Sequence, residues 1–584
     1  MIRNPNYSPE NFLVPEFKVS WPFYTVESDY LTAWICLIVA GVFVLLAYKK
    51  ISIPGTWRKA ILTGCAALSL FSYSNFFTFH GPMGDGKVRI YQTWDMFHYV
   101  IGARYQQELG YDHFYDACLL ALNEIDEELE DAEFWRRFTY RDMRTYEILP
   151  ASAAWLQREE IKDKFTTMRW DQFVEDIRFF YTDLSPEYFY NLLGDHGYNP
   201  PPTYSAVAKA LTGTGDITYA KLRLLASIDW ILLLLCFALI VWGFGLEAAL
   251  ICTTLFGVAY MSNFSWVGNA FLRFGWLVGV VGGMVFLKKE HPVLAGISLG
   301  LATGLRVFPG LLLFSLAFPF VWNWWKKVRS ENREKASASA FGGFLSWRKS
   351  KTCVLLMKTV ATAGVLLACW GTWTGFASSR PNLWSEWSNT ISLHNGRLSA
   401  NHVGLKVAVS THPDLTSGKI MAADPIEYWN EKKTELLWKR AWIYFPLILI
   451  FLGLLLCNAG KLPPYQFLLL SLTGLFFFID LSGYYYSFLA LLPLTFFGFR
   501  RNGFRLDFIA AALLALVILG QYWTQQFYLH LDWIFAISSI VLLFIFLGLP
   551  LIRALLAEEA NETTCAANDD PSIAIISNQR IRGK

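Results

Sequence analysis

Charged residues are scarce along most of this 584-residue chain. They make up 17% of the sequence, against 54% for hydrophobic residues, and long stretches carry almost none. Many of these stretches run for about 17–22 residues, which is enough to cross a hydrocarbon core about 30 Å thick. Because every backbone polar group in lipid needs an internal partner, such segments must be helices. The pattern excludes a typical soluble protein and predicts an all-α polytopic membrane protein.

The sequence also shows no C-x-x-C pair, no zinc-ligand spacing and no signal-peptide pattern. The nine cysteines are scattered, and none belongs to a C-x-x-C pair or a zinc-ligand spacing. This argues against a disulfide framework and against a metal site, and no cofactor is predicted. Residues 1–29 lack a basic stretch followed by a short apolar run, so no cleaved signal peptide is predicted.

Hydropathy predicts about thirteen membrane spans. They fall at residues 31–48, 60–78, 224–244, 246–262, 270–287, 292–306, 308–325, 353–373, 440–457, 465–480, 484–499, 507–523 and 533–552. The spans at 60–78 and 292–306 have the weakest apolar signal.

Lysines and arginines support this order of spans. With the N-terminus outside, every short basic loop falls on one side, which is the cytoplasmic side by the positive-inside rule. These loops carry Lys49, Lys50, Arg58, Lys59, Lys288, Lys289, Lys326, Lys327, Arg329, Arg333, Arg348, Lys349, Lys351, Arg500, Arg501, Arg505 and Arg553. The same topology places residues 79–222 and 374–438 on the extracytoplasmic side.

The domain organisation follows from these spans. The predicted segments are 1–78 with two spans, 79–222 outside, 223–325 as a transmembrane bundle, 326–352 as a basic cytoplasmic linker, 353–373 as one span, 374–438 outside, 439–556 as C-terminal helices, and 557–584 as a disordered cytoplasmic tail. We expect residues 79–222 to form a helical subdomain, since the stretch from Asn123 to Arg137 has a helix-like charge pattern. Its core would be aromatic, from Trp135, Trp170, Phe179, Phe180 and Tyr181.

Asp95 is the candidate catalytic residue. It follows the second predicted span among aromatic residues that include Trp94, Phe97 and Tyr99, so its carboxylate is expected near the membrane surface and partly desolvated. Such a carboxylate can take a proton from an acceptor hydroxyl as a general base. The structural alternative is that Asp95 caps the helix that begins there, because Asp is a preferred N-cap residue. Spacing alone leaves both interpretations open.

Arg306 is the candidate phosphate ligand. It ends a stretch with glycines at 296, 300 and 304, whose spacing gives one smooth helix face that another helix can approach closely. A guanidinium can bind a lipid phosphate through two parallel hydrogen bonds. The alternative is an interfacial arginine that extends to lipid headgroups. Arg273, at the outer end of the fifth span, is a second possible phosphate ligand.

The second outer segment holds a polar run with His394, Asn395, Arg397 and His402. These side chains could bind sugar hydroxyls or phosphate, or they could be ordinary loop residues. The two histidines are too loosely spaced to favour a metal site.

Taken in order, these motifs resemble the GT-C superfamily, and in particular glycosyltransferase family 87, which includes polyprenol-phosphate-mannose-dependent mannosyltransferases. The resembling residues are Asp95, Tyr99, Ala103, Gly110, Tyr115 and Asp116 in the first outer loop, Tyr198-Asn199-Pro200-Pro201 before the next span, the Leu294–Pro309 middle motif, and Tyr484-Tyr485-Tyr486. Three features depart from the family pattern. A span precedes the usual first one, the outer insertion after Asp116 is longer, and Arg306 replaces a lysine.

The resemblance implies an inverting glycosyltransferase that uses a polyprenyl-phosphate sugar, with a mannose-like sugar favoured. Asp95 would be the general base, and Arg306 would hold the donor phosphate, helped by Arg273 or Arg397. Tyr99, His394, Asn395 and His402 would bind donor or acceptor. The acceptor would be an extracytoplasmic lipid or glycan, and membrane lipids but no nucleic acid are expected as partners. A bacterial inner membrane is favoured over the endoplasmic reticulum.

Two alternatives belong to other classes of protein. A transporter or flippase for a lipid-linked substrate predicts paired ionisable residues deep within spans and an internal repeat. A scaffold subunit of an envelope-assembly complex predicts a closed or occupied Asp95 pocket.

Overall fold

The computed structural model describes residues 26–81 apart from 50 and 52, 88–126, 135, 138–322 apart from 185, 351–415 apart from 379, and 425–569 apart from 502, 503 and 528–530. Helices dominate these residues, and the strands among them form three two-stranded pairs. Six helices contain a stretch long and apolar enough to cross a membrane: Val26–Tyr48, Tyr219–Phe244, Lys351–Ala377, Ala441–Ala459, Leu506–Phe527 and Leu531–Asp569. The prediction of an all-α membrane protein is therefore confirmed.

The number of spans stays a prediction. The other predicted spans correspond to the Gly55–Tyr73 helix, to a 3-10 helix at Gly483–Phe496, and to five apolar helices of 10–17 residues: Leu246–Gly257, Gly275–Lys288, Pro292–Leu305, Gly310–Trp322 and Pro464–Phe478. A 14-residue α-helix rises about 21 Å, less than a bilayer core. The 3-10 helix rises about 2.0 Å per residue, so its 14 residues reach about 28 Å.

The segment predicted to be the first outer one folds into a series of short elements. Its helices are Thr93–Met96, the π-helix Phe97–Ile101, Gly102–Arg104, Gln106–Leu109, Phe114–Ile125, Ser152–Leu156, Arg158–Lys162, Thr167–Asp183, Pro186–Leu192 and Pro202–Thr212, and a hairpin pairs Thr139–Arg141 with Ile148–Pro150. Its aromatic core matches the expectation in part, because Trp135, Trp170 and Phe180 are buried while Phe179 and Tyr181 pack at the edge. Most of the stretch from Asn123 to Arg137 lies outside the described residues.

The second outer segment connects to the late spans through backbone pairing. It contains the helices Leu383–Asn395, Leu405–Val409 and Pro425–Lys439. The strand His402–Val403 pairs with Leu481–Ser482 in antiparallel register, directly before the 3-10 helix. Two more hydrogen bonds fix this junction, from Gly483 N to the Asn401 carbonyl (2.7 Å) and from the Tyr486 hydroxyl to the Val403 carbonyl (2.9 Å). A third strand pair joins Arg500–Arg501 to Phe504–Arg505.

The glycine face predicted at residues 296, 300 and 304 packs against the Lys351–Ala377 helix. A Cβ added at Gly296 would lie 2.5 Å from the Thr359 carbonyl oxygen, and one at Gly304 would lie 2.4 Å from the Trp370 ring. At Gly296 a side chain would require the backbone of the neighbouring helix to move, whereas at Gly304 it would displace the Trp370 side chain. The predicted close approach is confirmed, and it fixes the helix that ends at Arg306.

The C-terminal prediction is wrong in part. The helix that begins at Leu531 continues to Asp569, so the first residues of the expected disordered tail are helical. Residues 570–584 and nearly all of the predicted linker at 326–352 lie outside the described residues.

Candidate functional site

Arg273 is held by a loop with unusual backbone geometry. Between the helices Phe264–Val267 and Gly275–Lys288, the residues Asn269, Phe271 and Leu272 have φ values of 55°, 60° and 56°. Such conformations are strained for residues other than glycine and persist where the surroundings impose them. The loop is bound from one side by the 90–92 segment, since Gln92 N donates to the Asn269 carbonyl at 3.3 Å.

Asp229 supports the same loop from within the Tyr219–Phe244 helix. Its side chain is fully buried, and its Oδ1 accepts a hydrogen bond from Phe274 N at 3.5 Å. Its second oxygen has no hydrogen-bond partner among the described residues. A buried carboxylate within a span is costly, so this position indicates a role in orienting the Arg273 loop. Sequence reasoning passed over Asp229, although a lone aspartate in an apolar span was the signal.

Asp95 does not cap its helix. The N-cap of Thr93–Met96 is Gln92, whose side-chain oxygen accepts from Asp95 N at 2.9 Å. The Asp95 carboxylate instead accepts a hydrogen bond from Arg273 Nη2 in a close ion pair. The structural alternative for Asp95, as a capping residue, is therefore wrong. About 16% of the Asp95 side chain is exposed, against 3% for Arg273, so the carboxylate is the accessible member of the pair.

The structure brings Arg306 to the same place as Arg273. Arg306 is the C-cap of the Pro292–Leu305 helix and is buried. The guanidinium carbons of Arg306 and Arg273 lie 4.9 and 5.1 Å from the centre of the Tyr99 ring, and 5.8 and 6.0 Å from that of Tyr485. The Tyr204 ring centre lies 5.0 Å from the guanidinium carbon of Arg306, and the Tyr484 ring centre lies 4.7 Å from that of Arg273. Burial raises the pKa of the Tyr99 hydroxyl, so the Tyr99 side chain is neutral.

The two arginines have unused hydrogen-bonding capacity. In the part of the chain that the structure describes, Nε and Nη1 of Arg273 and Nε and Nη2 of Arg306 are buried without an acceptor. Buried guanidinium donors are normally satisfied, and each exception calls for an explanation such as a missing ion or ligand. The tyrosine rings stabilise the two charges through cation–π contacts. They do not accept hydrogen bonds from the N–H groups, which point outward in the plane of each guanidinium. The arrangement suits an anion with several oxygens.

Backbone pairing explains how Tyr484 and Tyr485 reach this place. The strand pair of His402–Val403 with Leu481–Ser482 fixes the start of the Gly483–Phe496 helix, and Tyr484 and Tyr485 lie in its first turn. The sequence singled out the three consecutive tyrosines, but it did not connect them with Arg273 or Arg306.

The remaining predicted residues form a second cluster. His394 Nδ1 lies 3.2 Å from the Tyr146 hydroxyl, and Arg397 Nη1 donates to the Tyr146 carbonyl at 2.6 Å. The His394 ring centre lies 6.2 Å from that of His402. Asn395 ends its helix with an exposed side chain. Thus three of these four residues meet, at a distinct place from the two buried arginines.

Three members of the second cluster were not found from the sequence: Arg141, Tyr146 and His196. The Tyr146 ring stacks on His196 with a centre distance of 5.6 Å, and the Tyr146 carbonyl also accepts from Arg141 Nη1 at 2.9 Å. Tyr146 has a φ of 65°, a rare value for a bulky residue. Nothing in the local sequence marks these positions, because their contacts cross up to 251 residues of chain.

A short path connects the two clusters. Asp195 precedes His196 and accepts a hydrogen bond from the Trp94 indole at 2.7 Å, and Trp94 precedes Asp95. This hydrogen bond links the chain segment that carries His196 to the segment that carries Asp95. Within the described residues, no group of three His, Cys, Asp or Glu side chains is arranged to hold a metal ion.

Burial keeps the clustered histidines neutral. It lowers the pKa of His394 to about 4 and that of His402 to about 3, with nearby cations adding to the effect, and it lowers the pKa of His196 strongly. The cations that face them are Arg141, Arg397 and Lys406, and Asp195 partly opposes the shift at His394. The cluster therefore presents neutral imidazoles at neutral pH.

We expect the protein to lose stability as the pH falls from about 6.5 to about 4. In that window histidines of the unfolded chain bind protons while the buried ones do not, so protonation favours unfolding. The measurement is the thermal unfolding midpoint of the detergent-solubilised protein at several pH values. His394→Asn combined with His402→Asn should flatten the profile, whereas His412→Asn, which replaces a histidine that is 43% exposed, should leave it steep. An equally steep profile in the double variant would contradict this explanation.

The fold places the protein in the all-α class of integral membrane proteins, and its described residues include two polar clusters that contain arginines. Comparison with protein-family models, with curated proteins and with solved structures finds no match for this chain.

Proposed function

We propose that the protein is a membrane glycosyltransferase that moves a sugar from a polyprenyl phosphate to an extracytoplasmic lipid or glycan acceptor, with inversion. The observation that carries this proposal is the pair of buried guanidiniums, four of whose nitrogens have no acceptor within the described part of the chain, beside the partly exposed carboxylate of Asp95. Guanidiniums with free donors match the oxygens of a phosphate. A carboxylate next to that phosphate is placed to act on a hydroxyl.

Because Arg273 forms an ion pair with Asp95, the donor would have to bind before Asp95 can act as the base. In the absence of donor, Arg273 Nη2 occupies an oxygen of the Asp95 carboxylate. A donor phosphate at Arg306 competes for Arg273, because it offers more oxygens than a single carboxylate contact. Once Arg273 turns to the phosphate, Asp95 is released to accept a proton. Binding of the donor therefore activates the base.

The chemistry is a single in-line displacement. Asp95 takes the proton from the acceptor hydroxyl as its oxygen attacks the anomeric carbon. The bond from that carbon to the phosphate oxygen breaks, and its electron pair leaves with the polyprenyl phosphate. Arg306 and Arg273 stabilise the charge that develops on the leaving group. Attack opposite the leaving group inverts the anomeric centre.

The second cluster is a suitable place for the acceptor. It is linked to Trp94, the neighbour of Asp95 in the chain, through the hydrogen bond of Trp94 with Asp195, and its neutral imidazoles and guanidiniums can bind sugar hydroxyls. His394, His402 and Arg397 would then act on the acceptor side and not at the donor phosphate. A mannose-like sugar and a bacterial inner membrane remain the favoured assignments, on the resemblance of the sequence motifs to family 87.

The test is transfer of radiolabelled sugar from a panel of polyprenyl-phosphate sugars, with the mannosyl donor first. Membranes that contain the wild-type protein are compared with membranes that contain Asp95→Asn, at equal expression. Asp171→Asn is the matched control, because Asp171 is exposed in the same outer segment. We expect transfer by the wild type and the control. If the wild type transfers no sugar from any donor, the proposal is wrong and a transporter or scaffold is favoured.

A further inference from the structure

A second cationic region lies at the other end of the same helices. Arg273 precedes the Gly275–Lys288 helix and Lys288 ends it, so about 20 Å of helix separates the two. At the Lys288 end there is a cavity of about 380 Å³, lined by Lys59, Phe244, Gly245, Leu246, Glu247, Ala248, Phe497, Gly498, Phe499, Arg505 and Asp507. We call this the distal cavity. The Lys288 ammonium lies 4.5 Å from the Phe244 ring centre and 4.7 Å from that of Phe497, both of which line it.

The two carboxylates of the distal cavity are already neutralised. Glu247 accepts hydrogen bonds from Arg58 at 2.7 and 2.8 Å, and it also accepts one from Arg505. Asp507 accepts from Arg505 Nη2 at 2.7 Å. Lys59 lines the cavity with an exposed side chain. The cavity and its wall thus contain more positive charge than its two carboxylates balance.

A buried arginine stands behind the cavity wall. Arg553 is 1% exposed, and its guanidinium carbon lies 3.9 Å from the ring centre of Phe499, which lines the distal cavity. Its Nη2 donates to Gln466 at 2.7 Å, whereas Nε and Nη1 have no acceptor among the described residues. As at Arg306, a buried cation with spare donors indicates a place for an anion.

The backbone adds to the positive potential. The helix Leu246–Gly257 begins at the cavity, and Gly245, Leu246, Glu247 and Ala248 line it. The first N–H groups of a helix have no partner within the helix, and the helix dipole makes this end favourable for a negative group. The cavity therefore combines ammonium, guanidinium and backbone N–H donors.

We propose that the distal cavity binds the phosphate of an anionic phospholipid headgroup from the leaflet on that side of the membrane. Two cations, Lys59 and Arg505, line the cavity beside Glu247 and Asp507. Three more, Arg58, Lys288 and Arg553, contact residues of its lining. In sequence these five cations come from four separate basic segments, and the fold gathers them at one cavity. Basic pockets between transmembrane helices are suited to anionic headgroups. This site is independent of the proposed transferase reaction at the opposite end.

The test uses the purified full-length protein and the variant Lys59→Gln combined with Lys288→Gln. Native mass spectrometry measures binding of phosphatidylglycerol and of phosphatidylcholine, and the thermal unfolding midpoint is measured with and without inorganic phosphate. The control is Lys432→Gln combined with Lys439→Gln, which removes the same charge from lysines that are 41% and 68% exposed on another helix. If the double variant fails to fold, Lys59→Gln alone is used, since Lys59 is exposed.

We expect the wild type and the control to prefer phosphatidylglycerol, and the double variant to bind it about tenfold to thirtyfold more weakly. If inorganic phosphate alone raises the unfolding midpoint of the wild type but not of the variant, the anion site is supported with a free phosphate as its ligand. Equal lipid binding by the wild type and the variant, with no effect of phosphate, would overturn the proposal.

Discussion

Replacing Asp95 by asparagine is expected to lower sugar transfer by about 10²–10⁴-fold, the usual contribution of a general base. Asparagine keeps the shape of the side chain but cannot accept the proton of the acceptor hydroxyl. The loss should persist at every pH, because no titratable group remains at this position. The measurement is the initial rate of transfer per folded protein molecule, with Asp171→Asn as the unaffected control.

The affinity of Asp95→Asn for the donor should not fall with its rate of transfer. In the wild type the Asp95 carboxylate holds Arg273 Nη2, and a neutral asparagine holds it less strongly. Arg273 is then available to the donor phosphate, so Asp95→Asn should bind a polyprenyl-phosphate sugar at least as tightly as the wild type. Misfolding would weaken both binding and transfer. Transfer at the wild-type rate by Asp95→Asn would remove Asp95 as the base.

The second large effect is expected at Arg306, where a substitution should weaken donor binding without lowering the thermal unfolding midpoint. Replacing Arg306 by methionine removes a charged hydrogen-bond donor from the donor phosphate, a loss of about 1.5–3 kcal/mol, or roughly 10- to 150-fold in donor affinity. The same change removes a buried cation whose Nε and Nη2 have no acceptor among the described residues. Replacing a buried charge with an apolar side chain of similar size is often neutral or stabilising. We therefore expect weaker donor binding with an unchanged or higher unfolding midpoint.

Arg104 provides the matched comparison for Arg306. Arg104 is also a buried arginine, but it forms an ion pair with Asp176 at 3.0 Å and donates to the carbonyls of Thr212 and Gly215. Arg104→Met leaves the Asp176 carboxylate buried without its partner, which costs about 3–5 kcal/mol. Its unfolding midpoint should fall. A comparable fall in Arg306→Met would show that Arg306 supports the fold, and the donor-phosphate assignment would then lose its basis.

The two ends of the molecule use arginine in similar ways. Arg306 and Arg553 are both buried, both pack against aromatic rings, and both keep guanidinium nitrogens without an acceptor among the described residues. Structural arginines elsewhere in the chain, such as Arg104 and Arg505, have carboxylate partners. Arg104 also keeps Nε and Nη2 without a hydrogen-bond acceptor among the described residues, so what sets Arg306 and Arg553 apart from it is the lack of a carboxylate partner within the described part of the chain.

Local sequence patterns predicted the class of fold and several individual features. Long uncharged runs require helices in lipid, and six helices long enough to cross a membrane are present. The glycines at 296, 300 and 304 predicted a close helix contact, which the added-Cβ distances confirm. Asp95 is marked in the sequence by its place after an apolar span among aromatic residues, and Arg273 and Arg306 are marked as cations at the ends of apolar spans. Each of these signals is contained within a few helical turns of chain.

Only the tertiary structure decided which polar residues meet. It paired Arg273 with Asp95 across 178 residues, placed Tyr484 and Tyr485 against Arg273, and separated His394, His402 and Arg397 into a second cluster. It also showed that Gln92 caps the helix and that Asp95 does not. The physical reason is that hydropathy and spacing record the burial of each segment along the chain. The contacts of buried charges depend instead on how distant segments pack, and no local pattern contains that information.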